Sequence, residues 1–123
     1  MVDRHPDLIR PGSLEIYCGP MNSSKSGNML ARVEPLSFVP KVELEAFNPV
    51  FNERDPAIVS GSSSYVLPCH FVDENDPESI MNNVKGNTEV VVIDELQVFK
   101  EGIVDVVNEL LRRDVNVICA GLD

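Results

Sequence analysis

The run Val90-Val91-Val92-Ile93 restricts this chain more than any other feature does. Four consecutive β-branched residues have no polar face, so a strand made of them needs apolar cover on both sides of its sheet. A sheet with one wet face is written with alternation instead, and an unbroken run belongs to a parallel strand lying between two layers of helices. The residues that follow can supply one such layer. From Glu101 to Arg113, the side chains Ile103, Val104, Val107, Leu110 and Leu111 recur at helical spacing, and Arg112 and Arg113 sit at the end that the helix dipole favours. Val115 to Ala120 then reads as a further strand. Strand, helix and strand in succession imply a right-handed crossover.

The upstream half continues the alternation. Ser13 to Cys18 alternates apolar and polar residues and runs into Gly19-Pro20, the pattern of a strand entering a glycine-initiated loop. A helix is expected from about Ser26 and should stop near Val33, since Pro35 and Pro40 disfavour continuous helix there. Val42, Leu44 and Ala46 alternate with Lys41, Glu43 and Glu45, which predicts a second strand closing at Phe47-Asn48-Pro49. Ser64 to Val72 contains Pro68 and reads as a strand interrupted at an edge or bulge. Asp76-Pro77-Glu78, followed by Ile80, Met81 and Val84, predicts a short helix with Asp76 as its N-cap. The expected fold is therefore α/β, a mostly parallel sheet with flanking helices, whose ligands bind beyond the C-terminal strand ends. With 123 residues, the chain is expected to form a single domain over residues 1–123.

Composition narrows the partners. Twenty Asp and Glu against ten Lys and Arg give a formal charge of −10, which repels a nucleic-acid polymer. A single nucleotide is not excluded, because phosphates need only a local nest of N–H groups and a cation or two. The three cysteines, Cys18, Cys69 and Cys119, form no C-x-x-C pair and suit a reducing compartment. Cys18 and Cys119 lie in strand-like runs and are expected to be small buried hydrophobes. The first residues lack the apolar stretch of a secretory signal and no run approaches membrane-spanning length, so the expected location is the cytoplasm, away from membranes. Asp73, Glu74, Asp76 and Glu78 lack the spacing of a calcium loop and are read as solvated surface.

Two motifs carry chemistry, each after a predicted strand. Gly19-Pro20-Met21-Asn22-Ser23-Ser24-Lys25-Ser26 fits the P-loop pattern G-x-x-x-x-G-K-[ST], except that Ser24 replaces the second glycine. In such a loop the backbone N–H groups cradle phosphates, Lys25 reaches the β and γ phosphates and the Ser26 hydroxyl helps to hold magnesium. If the backbone at Ser24 must be left-handed, its Cβ costs ~1–2 kcal/mol. The bland alternative is a solvated Ser/Lys loop. The second motif is Asp94-Glu95 at the end of the β-branched run. A carboxylate at a strand tip can hold magnesium directly or through water, and its neighbour can serve as a base. The alternative there is an acidic helix start. Together the motifs supply complementary parts of one phosphoryl-transfer site, and the fold class becomes that of a P-loop NTPase.

A wider set of segments, in collinear order, adds a resemblance. Gly12-Ser13-Leu14-Glu15-Ile16 leads into Gly19-Pro20-Met21, followed by Phe47-Asn48-Pro49 and Val92-Ile93-Asp94-Glu95-Leu96-Gln97. Gly102-Ile103-Val104 and Ala120-Gly121-Leu122-Asp123 complete it. With these the chain resembles the thymidine kinases of the cellular, P-loop type. The resemblance implies transfer of the ATP γ-phosphate to the 5′-hydroxyl of thymidine or deoxyuridine, with ATP and Mg2+ as cofactors and a homo-oligomeric, cytoplasmic enzyme. It places the loop from Gly19 to Ser26, with Gln97, among the nucleotide-binding residues, and Ser26 and Asp94 on the metal. Glu95 would take the proton from the 5′-hydroxyl, Arg54 would lie near the phosphates, and Met21 would line the nucleoside pocket. By itself Arg54 also reads as a surface charge, and Met21 as core packing.

The chain departs from the family at Ser24, at Gly27-Asn28, at Asn52 in place of an acidic residue, and at Val98 in place of an aromatic. The family also goes on, beyond the position of Asp123, to a zinc-bearing lid and a lasso loop, so zinc is not expected within these residues. A catalytically weak or inactive nucleotide-binding or assembly relative is the alternative function. An unrelated P-loop ATPase is a third, against which Gly19-Pro20-Met21 and Gln97 speak.

Overall fold

In the computed structural model, residues 12–19, 25–49, 57–58 and 65–121 are described. Strands β1 (Leu14–Cys18), β2 (Leu44–Asn48), β5 (His70–Phe71), β6 (Val90–Ile93) and β7 (Asn116–Gly121) form one sheet in the order β1-β7-β6-β2-β5. Every pair in it is parallel. A separate antiparallel pair joins β3 (Ala57–Ile58) to β4 (Leu67–Pro68). The interruption expected at Pro68 is therefore a change of partner: the chain leaves β3 and, two residues on, joins the edge of the main sheet.

The β-branched run behaves as its lack of a polar face requires. Val90 and Val92 pack on one side with Met29, Leu30, Val33 and Leu36 of helix α1 (Lys25–Ser37). Val91 and Ile93 pack on the other with Ile103, Val106 and Leu110 of helix α2 (Gly102–Arg112). All four residues of the run are fully buried. The same two-sided burial holds for β7, where Ile118 and Ala120 face α1 while Val117 and Cys119 face α2. The buried line on α2 is Ile103, Val106 and Leu110, and Val104, expected on that face, is exposed.

Helix α1 does not stop near Val33. It runs to Ser37 with Pro35 inside it. Leu36 is completely buried beside Met29, Leu30 and Val33, so ending the helix earlier would withdraw a leucine from the core. Pro35 and Ala31, whose carbonyl Pro35 cannot serve, are both exposed residues. The last turn closes through the Ser37 hydroxyl, which donates to the Glu34 carbonyl at 2.7 Å, and the Val39 N–H, which donates to Leu36.

Two further expectations are revised. Pro77–Asn83 is a 3₁₀ helix, and no side-chain bond from Asp76 caps it. Instead the Asp76 carbonyl accepts both the N–H and the hydroxyl of Ser79. Cys119 is buried as expected, but Cys18 is exposed. β1 is an edge strand, and its side chains alternate. Glu15 and Tyr17 turn toward α1, whereas Leu14, Ile16 and Cys18 lie on the exposed face. There Leu14 and Ile16, with Val104, Val107 and Cys119, line an apolar hollow of about 200 Å³.

Candidate functional site

Parallel pairing brings the C-terminal ends of β1, β7 and β6 to one edge of the sheet, with β7 between the two strands that carry the motifs. At this edge β6 gives way to Asp94, whose N–H continues the ladder by donating to the Phe47 carbonyl at 3.0 Å. The Asp94 side chain is buried, 6% exposed. Its Oδ1 accepts the N–H of Glu95 at 2.9 Å. Glu95 is left-handed, φ 52° and ψ 47°, a conformation that costs a residue with a Cβ ~1–2 kcal/mol. The Asp94 carboxylate offsets part of that cost by satisfying the turned N–H. The 3₁₀ turn Leu96–Val98 follows, and its Gln97 donates from Nε2 to Glu95 Oε2 at 2.9 Å. Two adjacent carboxylates thus occupy unlike surroundings, Asp94 inside the strand tip and Glu95 half-buried.

Gly121, the last residue of β7, touches the start of the first motif and the turn that follows the second. Its carbonyl accepts the N–H of Gly19, where the P-loop segment begins, at 3.3 Å. Its Cα faces the Leu96–Val98 turn so closely that a Cβ would lie 3.0 Å from Gln97 Oε1 and 3.2 Å from Leu96 Cβ. Its φ is outside the left-handed region, so space and not backbone conformation calls for glycine here.

Side chains around this edge carry unequal electrostatic burdens. On β1 the Glu15 carboxylate takes two bonds from Arg32 of α1, 3.0 Å from Nε and 3.1 Å from Nη2, and also accepts the Tyr17 hydroxyl at 3.3 Å. Burial, then the charge of Glu15 and the bond to it, raise the Tyr17 phenol above its ordinary value, with Arg32 acting in the opposite direction. Between β4 and β5, burial and then the charge of Asp94 push the Cys69 thiol up to about 11. Cys69 lines a hollow of about 370 Å³ with Ser37, Leu67 and the pair His70–Glu45, whose Nε2 and Oε2 are 2.8 Å apart.

Of the residues singled out from the sequence, Gly19, Asp94, Glu95 and Gln97 come together at this edge, and α1 starts at Lys25, so that Lys25 and Ser26 form its first turn. Pro20, Met21, Asn22, Ser23, Ser24 and Arg54 lie outside the described residues, as do the side chains of Lys25 and Ser26. No group of three or more His, Cys, Asp or Glu side chains that could enclose a metal occurs among the described residues. Asp94 remains the buried hard-oxygen donor at the strand ends, suited to magnesium, which takes one or two carboxylates and fills its other positions from phosphate and water. Sequence reasoning counted Gly121 within the segment Ala120-Gly121-Leu122-Asp123 that carries the resemblance but gave it no role of its own. Cys69 was also passed over, and nothing local marks it as a neighbour of Asp94. No helix among the described residues is long and apolar enough to cross a membrane.

The thymidine kinase family profile matches residues 12–123, which include every described element. Curated thymidine kinases from two strains of Porphyromonas gingivalis are each 33% identical to this chain over 122 residues, 98% of its length. The chain spans 58% of the length of these relatives. With Gly19 and Asp94-Glu95 gathered at one edge of a parallel sheet and the family profile running through both, the chain belongs to the thymidine kinase family.

Proposed function

We propose that the chain carries the phosphate-binding and base-bearing part of a kinase that transfers the γ-phosphate of ATP to the 5′-hydroxyl of thymidine or deoxyuridine. The observation that supports this best is the meeting, on Gly121, of the P-loop start and the turn of Leu96 and Gln97 that directly follows Asp94-Glu95. The loop from Gly19 to Ser26 would bind ATP, with the N–H groups at the start of α1 and the charge of Lys25 serving its phosphates. Ser26 and Asp94 would hold magnesium, which would neutralise charge on the phosphate oxygens. Glu95, half-buried beside the buried Asp94, accepts the proton of the nucleoside hydroxyl as the oxygen attacks the γ-phosphorus and the bond to the β-phosphate breaks, releasing ADP. Arg54 stabilises the transferring group and Met21 contacts the nucleoside. The protein works in the cytoplasm as a homo-oligomer, and zinc is not required by these residues.

Calorimetric titration with magnesium-ATP tests the donor half. Lys25→Ala is expected to weaken affinity at least about tenfold, and Ser24→Gly to tighten it by up to about tenfold if the loop is left-handed there. An affinity untouched by Lys25→Ala would place the phosphates elsewhere. A radiometric assay with thymidine tests the acceptor half, with Glu95→Gln expected to abolish turnover. ATP binding without any turnover would identify the chain as a nucleotide-binding relative, a reading that Ser24 in the loop favours.

A further inference from the structure

We infer that Gly121 and Gln97 are positioning residues for the Glu95 carboxylate. This rests on the reading of Glu95 as the base. Glu95 protrudes from a left-handed turn with its carboxylate half-exposed, and a side chain with three rotatable bonds needs a partner to remain at one angle. Gln97 supplies it, donating from Nε2 to Glu95 Oε2 at 2.9 Å. Gln97 is itself exposed and requires a backing surface. The end of β7 provides one: the hydrogen-only face of Gly121 lets Gln97 Oε1 approach to where a Cβ would be 3.0 Å away, tighter than ordinary packing. Any larger residue at position 121 pushes the amide of Gln97 outward, and Glu95 with it. The Gly121 carbonyl meanwhile accepts the Gly19 N–H, so one residue touches both the start of the P-loop and the glutamine that holds the base.

Solution NMR on the whole chain tests the coupling without any need for turnover. The Gln97 side-chain N–H signals, identified by their loss in Gln97→Ala, are expected to move in Glu95→Ala and to move in the same direction in Gly121→Ala. Signals left in place by Gly121→Ala would overturn the proposal. If Gly121→Ala does not fold, Gln97→Met keeps the length of the side chain but donates nothing. It should shift the Glu95 carboxyl carbon resonance, and an unmoved resonance overturns the proposal equally. Kinetics then separate positioning from mere stability. Gly121→Ala should lower kcat about tenfold while the KM for ATP stays within about twofold, and Gln97→Ala should lower kcat by a similar factor. The double variant should be no slower than either single one, because both act through the same bond. Losses that multiply to about a hundredfold would show independent roles and overturn it. A wild-type chain that fails to phosphorylate thymidine would count against the kinase reading alone, since the resonances decide the coupling by themselves.

Discussion

Glu15 of β1 and Arg32 of α1 are joined by two nearly parallel hydrogen bonds, 3.0 Å and 3.1 Å, that tie an edge strand to the helix beginning at Lys25. Both side chains keep somewhat more than a quarter of their surface in water, so the pair stabilises the fold by only about 0.5–1 kcal/mol. Arg32→Lys cannot reproduce the fork and should lose most of that amount in urea unfolding. Arg32→Ala should also raise the Tyr17 phenol further, because the positive charge that opposes Glu15 is gone. Ultraviolet absorbance titration of Tyr17 checks the direction, and an unchanged titration would mean that the guanidinium does not act on the phenol.

The passage of α1 through Pro35 predicts a pair of opposite effects. Leu36→Ala should destabilise by about 2–4 kcal/mol, since the side chain is fully buried. Pro35→Ala should stabilise by about 1 kcal/mol, because it restores an N–H donor for the Ala31 carbonyl near a helix end. Thermal or urea melts of both variants measure this. A stability loss in Pro35→Ala would show that proline's restriction of the unfolded chain outweighs the missing bond.

The cysteines differ in accessibility and acidity. Burial, with a smaller contribution from Cys18, pushes the Cys119 thiol from 9.0 to about 12. Cys18 is exposed and should be alkylated first at neutral pH. The raised value of Cys119 means that the folded state keeps a proton which the unfolded chain releases. Its contribution to stability is complete below about pH 9 and is lost as pH rises toward 12. Urea midpoints measured across that window should fall with pH more steeply for wild type than for Cys119→Ala. Equal slopes, or alkylation of Cys119 as fast as Cys18, would contradict the burial argument.

At the end of α2, Asp114 has φ 61°, and its N–H donates to Leu111 while Val115 donates to Leu110. This is a Schellman cap, and Val115 and Leu110, the two residues it brings together, are both buried in the α2 side of the core. Asp114→Val places a β-branched side chain in left-handed backbone and should destabilise by about 1–2 kcal/mol. Asp114→Gly should be neutral to slightly stabilising. Denaturant unfolding of the two variants distinguishes a backbone requirement from one for the carboxylate, since the latter would make glycine as damaging as valine.

What the sequence determined by itself was local in origin. Four β-branched residues have no polar face, so β6 had to be covered on both sides whatever the rest of the chain did, and the apolar period of α2 identified one of its covers. The position of Gly19 and of Asp94-Glu95 at strand ends was legible for the same reason, since each follows directly on a strand whose end can be read from neighbouring residues. Tertiary structure decided what depends on partners distant in the chain. Leu36 entered the core against Val90, Val92 and their neighbours, and the helix therefore continued past a proline that local propensity treats as a stop. Cys18 became exposed because β1 lies at the sheet edge, which its own alternation does not reveal. The insertion of β7 between β1 and β6 follows from strand pairing across about a hundred residues, and it alone brings Gly121 against both Gly19 and Gln97. A glycine's lack of a side chain acquires meaning only from what stands beside it, and here its neighbours come from two distant turns.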